Sequence, residues 1–487
     1  MKCGASTFHP TMARLPVVPA MHARFPILAK LAKTARALTA VSLALAVSVT
    51  SPGSAVAQGN LPVVRDAEIE ALVRDYARPI LKVSGLSKSG IDIILVNDTR
   101  FNAFVAGRRM FINTGALLQS ETPNEIIGVI AHEAGHIAGG HQERLRDQLA
   151  RAQTMAVVAG LLGIGAVVAG AAANSKEIAQ AGGGLAAGGG EFARRGLLGY
   201  QRSEETTADR SAITYLEATG QSSKGMLKTF QRFQNALSLS GSRVDPYQVS
   251  HPMPRERIAN LEELAKRSPN YDRTDSPTLQ QRHDMMRAKI AVYTQGQSAA
   301  ARLFRKNPQG LPAQYGDAMA TYMYGNPRSA LGKADALIKA QPNNPYFHEL
   351  RGDILMKANR PADAVGAYTT AVRLDPVKSG ILPISLGQAL IAVGDPASLK
   401  QAVAEIKKGL QRDRENSSGY RYLAQAYGQL GEIPEAELAT AEGHFYRGAY
   451  KDAKIFAARA QQRFKRGAPG WVRAQDIINY KMPGKKK

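Results

Sequence analysis

Cysteine is all but missing from this 487-residue sequence: Cys3 is its one instance. Intrachain disulfides and a cysteine-built zinc site are therefore excluded. Acidic residues are scarce, 40 against 63 Lys and Arg, and the formal net charge is +23. Such a basic chain suits anionic surroundings, lipid headgroups or acidic clients among them. No nucleic-acid-binding module is recognisable, and nucleic acid is not expected as a partner. The first 57 positions lack acidic residues altogether but hold Lys2, Arg14, Arg24, Lys30, Lys33 and Arg36. An apolar run from Leu38 to Val49 follows, then Ala55-Val56-Ala57 before Gln58. This order is that of a cleavable secretory signal over 1–57, and it implies a periplasmic protein without cysteine after processing.

What the sequence does contain is His132-Glu133-Ala134-Gly135-His136, an H-E-x-x-H. On a helix, positions i and i+4 share a face, so both imidazoles can meet one ion, with Glu133 beside a polarised water. Two neutral nitrogen ligands and a carboxylate base are the minimum for a zinc hydrolase. Thr122, Pro123 and Glu125 read as N-cap, first helical residue and capping-box partner. Ile126, Ile127, Val129, Ile130 and Ala131 make the helix apolar enough to be buried. Upstream, Asp66 to Leu81 carries apolar residues at helical spacing. Ile91 to Val96 reads as a strand, and Phe104–Ala106 with Met110–Ile112 as a hairpin turning at Gly107 and Arg108. A strand placed just before such a helix can offer its edge to an extended substrate.

A third ligand is required. His141 stands one position short of the metzincin spacing. In the segment Glu205-Thr206-Thr207-Ala208-Asp209, two carboxylates share a helix face. One can ligate a metal while the other orients a ligating His. His251, held between Ser250 and Pro252 and followed by Pro254, presents an imidazole from an irregular loop. Between the two halves of the site, Thr154 to Ala173 is uncharged and long enough to span a bilayer. A single crossing would separate the metal ligands, so the segment reads as a re-entrant hairpin with the Gly-rich 181–190, or as a pair of helices packed through small residues. Its Gly and Ala content favours a soluble or membrane-touching version, and a mobile cover over the cleft is consistent with it.

Asn102-Ala103-Phe104, Gly107-Arg108-Arg109, Phe111-Ile112-Asn113 and Gly115, then His132-Glu133 with Gly135-His136, then Ser203, Glu204-Glu205 and Ala208-Asp209-Arg210, then Ser250-His251-Pro252, Pro254 and Arg257-Ile258, together resemble the exported branch of metallopeptidase family forty-eight. The likeness spans roughly residues 100–260. It implies an α+β zincin-type domain, mostly helical with a small sheet. One zinc ion per chain would be held by His132, His136 and Glu205, with Glu133 as base and Asp209 behind a ligand. It also implies that His251 can fill the fourth zinc position and keep the enzyme inactive until substrate displaces it.

From about residue 277 the pattern changes to short helices separated by Gly, Asn and Pro. Pro342 and Pro376, and Ala330 and Ala364, stand one tetratricopeptide period of about 34 residues apart. Gly352, Ala364, Tyr368, Ala371 and Pro376 fit that spacing, as do Leu423, Ala424, Tyr427, Gly431 and Ala436, while 379–412 is degenerate. The expected organisation is a signal peptide at 1–57, a metalloprotease domain at 58–272 with a Gly/Ala-rich insertion at 154–192, and an all-α tetratricopeptide solenoid at 273–487. The expected function is zinc-dependent endopeptidase action on misfolded or stalled outer-membrane proteins. The repeats would recruit those clients or their assembly machinery, and peripheral membrane contact is open. The alternative is a chaperone-like repeat scaffold whose protease is mostly silent.

Overall fold

The computed structural model describes residues 62–173, 175–240, 251 and 255–481. The secretory signal assigned to 1–57 lies outside the described residues. Residues Leu61–Lys487 form one compact unit. It opens with β1 (Val63–Val64) and α1 (Ala67–Val83), whose N-cap Asp66 accepts a hydrogen bond from the Ile69 amide at 2.9 Å. Then come β2 (Asp92–Val96), β3 (Ala103–Ala106) and β4 (Arg109–Asn113), in a four-stranded mixed sheet of order β1-β2-β4-β3. The expected hairpin is present, with Phe104 opposite Phe111 and Gly107 at φ 61 in its turn, where a side chain would be strained. β3 is one edge of that sheet, and the two-residue β1 the other.

After the short α2 (Thr114–Gln119) comes α3 (Pro123–Ala138), which carries the H-E-x-x-H. Fourteen of its residues, Pro123 to His136, are buried, so the side chains that could bind a metal sit in solid core. Its N-terminus departs from the expected capping box. Thr122 makes no side-chain cap bond, and the Asn124 amide is instead capped by the distant Asp275 carboxylate at 3.0 Å. Glu125, fully buried, turns to Lys228 at 3.0 Å and Arg232 at 2.6 Å. A buried carboxylate gains more from two cations than from one backbone amide.

Two long helices follow. α4 (His141–Ala172) and α5 (Lys176–Ala218) pack along each other as a helical hairpin. The Gly-rich 181–190 is thus part of one continuous helix, because the neighbouring leg supplies what glycine's propensity lacks. α5 then crosses α3 at Gly135. A Cβ there would stand 3.0 Å from the Ala208 carbonyl oxygen, so glycine is what admits the second helix. α6 (Lys224–Ser240) and α7 (Arg255–Arg267) close the first core, where Ile130, Leu216, Phe230 and Ile258 are buried together.

α8 (Pro277–Gln295) belongs to two cores at once. Met286, Ile290 and Ala291 face the first, while Met285, Ala288 and Val292 face the next. Beyond it the chain is all helix: α9 (Ala299–Leu303), α10 (Leu311–Tyr324), α11 (Pro327–Ala340), α12 (Pro345–Lys357), α13 (Pro361–Leu374), α14 (Ile381–Val393), α15 (Pro396–Arg412), α16 (Ser417–Leu430), α17 (Ile433–Tyr446), α18 (Tyr450–Arg463) and α19 (Pro469–Asn479). Pro327, Pro361 and Pro396 open alternate helices, at the position where a missing N–H costs nothing. The segment that read as degenerate, 379–412, forms the regular pair α14–α15. Its Leu382 joins Tyr346 of α12 and Ala371 of α13 in packing with Ala67 and Ala71 of α1.

Candidate metal centre

His132, His136, Glu205 and His251 are buried, and each offers a ligand atom within 4.8 Å of every other. His132 and His136 come from adjacent turns of α3, Glu205 from the last third of α5, and His251 from the chain between α6 and α7. His132 Nε2 lies 3.0 Å from His136 Nε2, 3.3 Å from His251 Nδ1 and 3.3 Å from a Glu205 oxygen. His136 Nε2 to Glu205 is 3.4 Å, and His251 Nδ1 to Glu205 is 3.1 Å. Ligands at about 2.0–2.1 Å around a tetrahedral ion stand about 3.3 Å apart. The donor set therefore has the spacing of a tetrahedral metal site and the chemistry of one: imidazole nitrogens plus a carboxylate, no sulfur.

Glu133 projects into the same space. It is fully buried, and neither carboxylate oxygen has a hydrogen-bond partner among the described residues, while His251 Nε2 stands 3.4 Å away. A buried carboxylate without hydrogen bonds is costly, and its burial raises its pKa above the usual range. Such a group holds a proton more readily than an exposed carboxylate.

Each α3 histidine is oriented from behind. His132 Nδ1 faces Asp209 Oδ1 at 3.0 Å. Asp209 is gripped by Arg257, whose Nε and Nη2 donate to its two oxygens at 2.6 and 2.8 Å. Arg257 also reaches Glu205 at 2.9 Å and lies 5.2 Å over the Phe230 ring. His136 Nδ1 meets His141 Nδ1 at 2.9 Å, and His141 Nε2 meets Glu204 at 2.8 Å. With its Nε2 lone pair turned to the cluster, His136 carries its proton on Nδ1 and donates to His141. Beyond it, Glu204 faces His141 Nε2 as a charge neighbour.

Charge follows this arrangement. Burial pushes His136 down to about 3. Burial also opposes a proton on His132, but hydrogen bonds to Asp209 and Glu205 outweigh it and hold that pKa at about 9. Burial would raise the two carboxyls, yet His251 and the α3 histidines hold Glu205 well below its usual range. Arg257 holds Asp209 below its own. The site keeps anionic oxygen and a free imidazole lone pair facing one point.

The sequence reading named all six of these side chains, and the fold brings them together. His141 is placed behind His136 rather than among the four. Arg257 and Glu204 were quoted within motifs without a role. Their signal was position alone: one turn past the His251 loop, and beside Glu205. A further contact had no sequence signal. The Gln142 side chain accepts from the Gly107 amide at 2.8 Å and donates to the Val105 carbonyl, so it occupies part of the outer edge of β3.

A buried H-E-x-x-H helix crossed by a helix bearing a glutamate, with a carboxylate base beside the donors, defines a metalloprotease. Residues 64–265 match Peptidase family M48, and the chain is a metalloprotease carrying this M48 domain. It is 24% identical over 426 residues to the beta-barrel assembly-enhancing protease of Escherichia coli, covering 84% of this chain and 82% of that protein. A putative beta-barrel assembly-enhancing protease of Vibrio cholerae is 24% identical over 438 residues, covering 87% and 86%. The solved structure of MamA aligns with 33% of this chain and 90% of its own, at a TM-score of 0.27 and 19% identity.

Proposed function

We propose that this protein is an exported zinc endopeptidase that acts on misfolded or stalled outer-membrane proteins. His132, His136 and Glu205 are its zinc ligands. Bound zinc supplies a Lewis acid that makes a water nucleophilic at neutral pH and polarises a peptide carbonyl. Glu133 takes the proton of the attacking water and returns it to the leaving amine. Asp209, fixed by Arg257, orients His132. His251 is the fourth donor and holds the enzyme latent until a substrate displaces it. The helical pairs from α10 onward are tetratricopeptide repeats that recruit clients. The observation that carries the reading is the set of donor separations between 3.0 and 3.4 Å around one point. The client class is supported by the names and extent of the two relatives.

The test is bound zinc per mole and casein cleavage for the parent, Glu205→Gln and His251→Ala. One zinc in the parent, its loss in Glu205→Gln and faster cleavage by His251→Ala are expected. Zinc retained by Glu205→Gln would overturn the ligand assignment. The buried His251 also favours a second reading, a repeat scaffold with a mostly silent protease. That reading requires zinc without cleavage even in His251→Ala, and client binding that survives Glu133→Gln.

A further inference from the structure

The α4 leg of the hairpin has its packing inverted. Gly160 and Gly163 of α4 are buried and Ala156 is partly covered, while Met155, Val157, Val158, Leu161, Leu162, Ile164, Val167 and Val168 are exposed, Leu161 at 65% and Val157 at 61%. In water, helix pairs sort the other way, with large apolar side chains inside. In hydrocarbon the large side chains gain nothing by hiding, and small residues let helices approach. At 100° per residue the exposed apolar positions cover roughly 240° of the helix circumference. A protein partner seated on one side would leave much of that arc in water, whereas lipid surrounds a helix. The segment is no core helix, because 11% of its apolar window is buried, and it stands far from the N-terminus.

The length and charge of α4 fit the same occupant. No charged residue stands from Ala152 to Ala173, a stretch of about 33 Å against a hydrocarbon core of about 30 Å. Exposed Arg146 and Arg151 mark its base, where cations meet anionic headgroups, while Arg144 is paired with Glu204 at 2.7 Å. Averaged along the chain, Gly and Ala argue against a lipid-facing helix; resolved by face, Ala156, Ala159, Gly160, Gly163 and Ala166 lie on the covered side, while Gly165 and Ala169 are exposed.

We propose that the α4–α5 hairpin enters a lipid bilayer tip first, to the level of Arg151. The metal centre is thereby held above the headgroups, since His141 lies about 15 Å along α4 from Arg151. The inference stands apart from the zinc assignment, because it rests on the hairpin surface alone.

The probe is Leu162→Trp in a Trp471→Phe background, which makes the hairpin the source of tryptophan emission, with the protein purified after export. With vesicles of phosphatidylethanolamine and phosphatidylglycerol, the emission maximum is expected to shift to shorter wavelength, and the parent protein to float with the vesicles. Val158→Asp combined with Leu162→Asp should abolish flotation and leave the circular dichroism spectrum and casein cleavage unchanged. Unshifted emission and no flotation at low salt would overturn the proposal. So would a shift that needs only an unfolded outer-membrane protein, or only a higher protein concentration. Those outcomes would assign the surface to a client or to a second copy of this chain.

Discussion

Asp209 and Gln142 illustrate how single side chains act here without touching the reacting atoms. Asp209 faces His132 Nδ1, where in the proposed reading it fixes the tautomer, and is itself paired with Arg257. Asp209→Asn keeps the shape but removes the charge that matches Arg257, and it can present an amide N–H to His132. Metal affinity is expected to fall about 10- to 100-fold, measured by competition with a chromogenic chelator. Unchanged affinity would mean that Arg257 and the core hold His132 unaided. Gln142 fills positions on β3 that an extended peptide would use. Each of its two hydrogen bonds, one exposed and one part-buried, is worth about 1 kcal/mol. Gln142→Ala is therefore expected to lower KM for a long peptide several-fold with little change in kcat. Equal KM values would show that substrate does not use this edge. These roles separate what could be read from the sequence from what could not. His132 with His136, and Glu205 with Asp209, are legible as pairs because helical spacing puts each pair on one face; the part each side chain would play comes from the resemblance to metallopeptidase family forty-eight. His141 is not, because the chain reverses at Gly140, with φ 65, and starts a new helix whose direction no spacing rule gives. Arg257 is hidden for a similar reason: its partner lies 48 residues earlier, on another helix.

At the scale of elements, strands and helix starts followed local rules, and departures came where tertiary partners outbid them. Glu125 left its capping box for two cations, and the Gly-rich stretch of α5 became helical against α4. α8 shows a partner choice with a pH consequence. His283, fully buried, lies between the Tyr76 hydroxyl and the Ser120 carbonyl, each at 2.9 Å. A carbonyl can only accept, so Nε2 carries the proton and Nδ1 accepts from Tyr76. That arrangement requires neutral imidazole, and burial lowers its pKa to about 4 from the ordinary 6.5. The unfolded chain takes up the proton first as pH falls. The His283 contribution is therefore complete above about pH 6.5, lost between there and pH 4, and level below. The loss is about 3 kcal/mol. Urea unfolding of the parent and of His283→Gln should converge across that window. Parallel curves would place the acid sensitivity elsewhere.

For the whole molecule, the decisive feature is that the protease core and the helical pairs share α8. Lys289 on that helix is buried and reaches Asp66 at 2.7 Å and Glu68 at 3.2 Å, and the Tyr315 hydroxyl donates to Glu68 at 2.6 Å. Lys289→Met leaves two carboxylates without their cation and is expected to cost about 3–5 kcal/mol. Because both cores lean on the same helix, calorimetry should show one transition moved to lower temperature. Two separated transitions would mean the cores unfold independently. The crossing at Gly135 has a mechanical meaning as well. α5 is a rod about 65 Å long, and it bears on α3 near Ala208, one turn from Glu205. Some 44 Å of the rod lies on the hairpin side of Glu205. If the crossing acts as a fulcrum, a 10 Å swing of the tip displaces Glu205 by about 1 Å. A protease built this way can let its outer arm ride on a moving surface while its metal ligands, close to the pivot, keep their places.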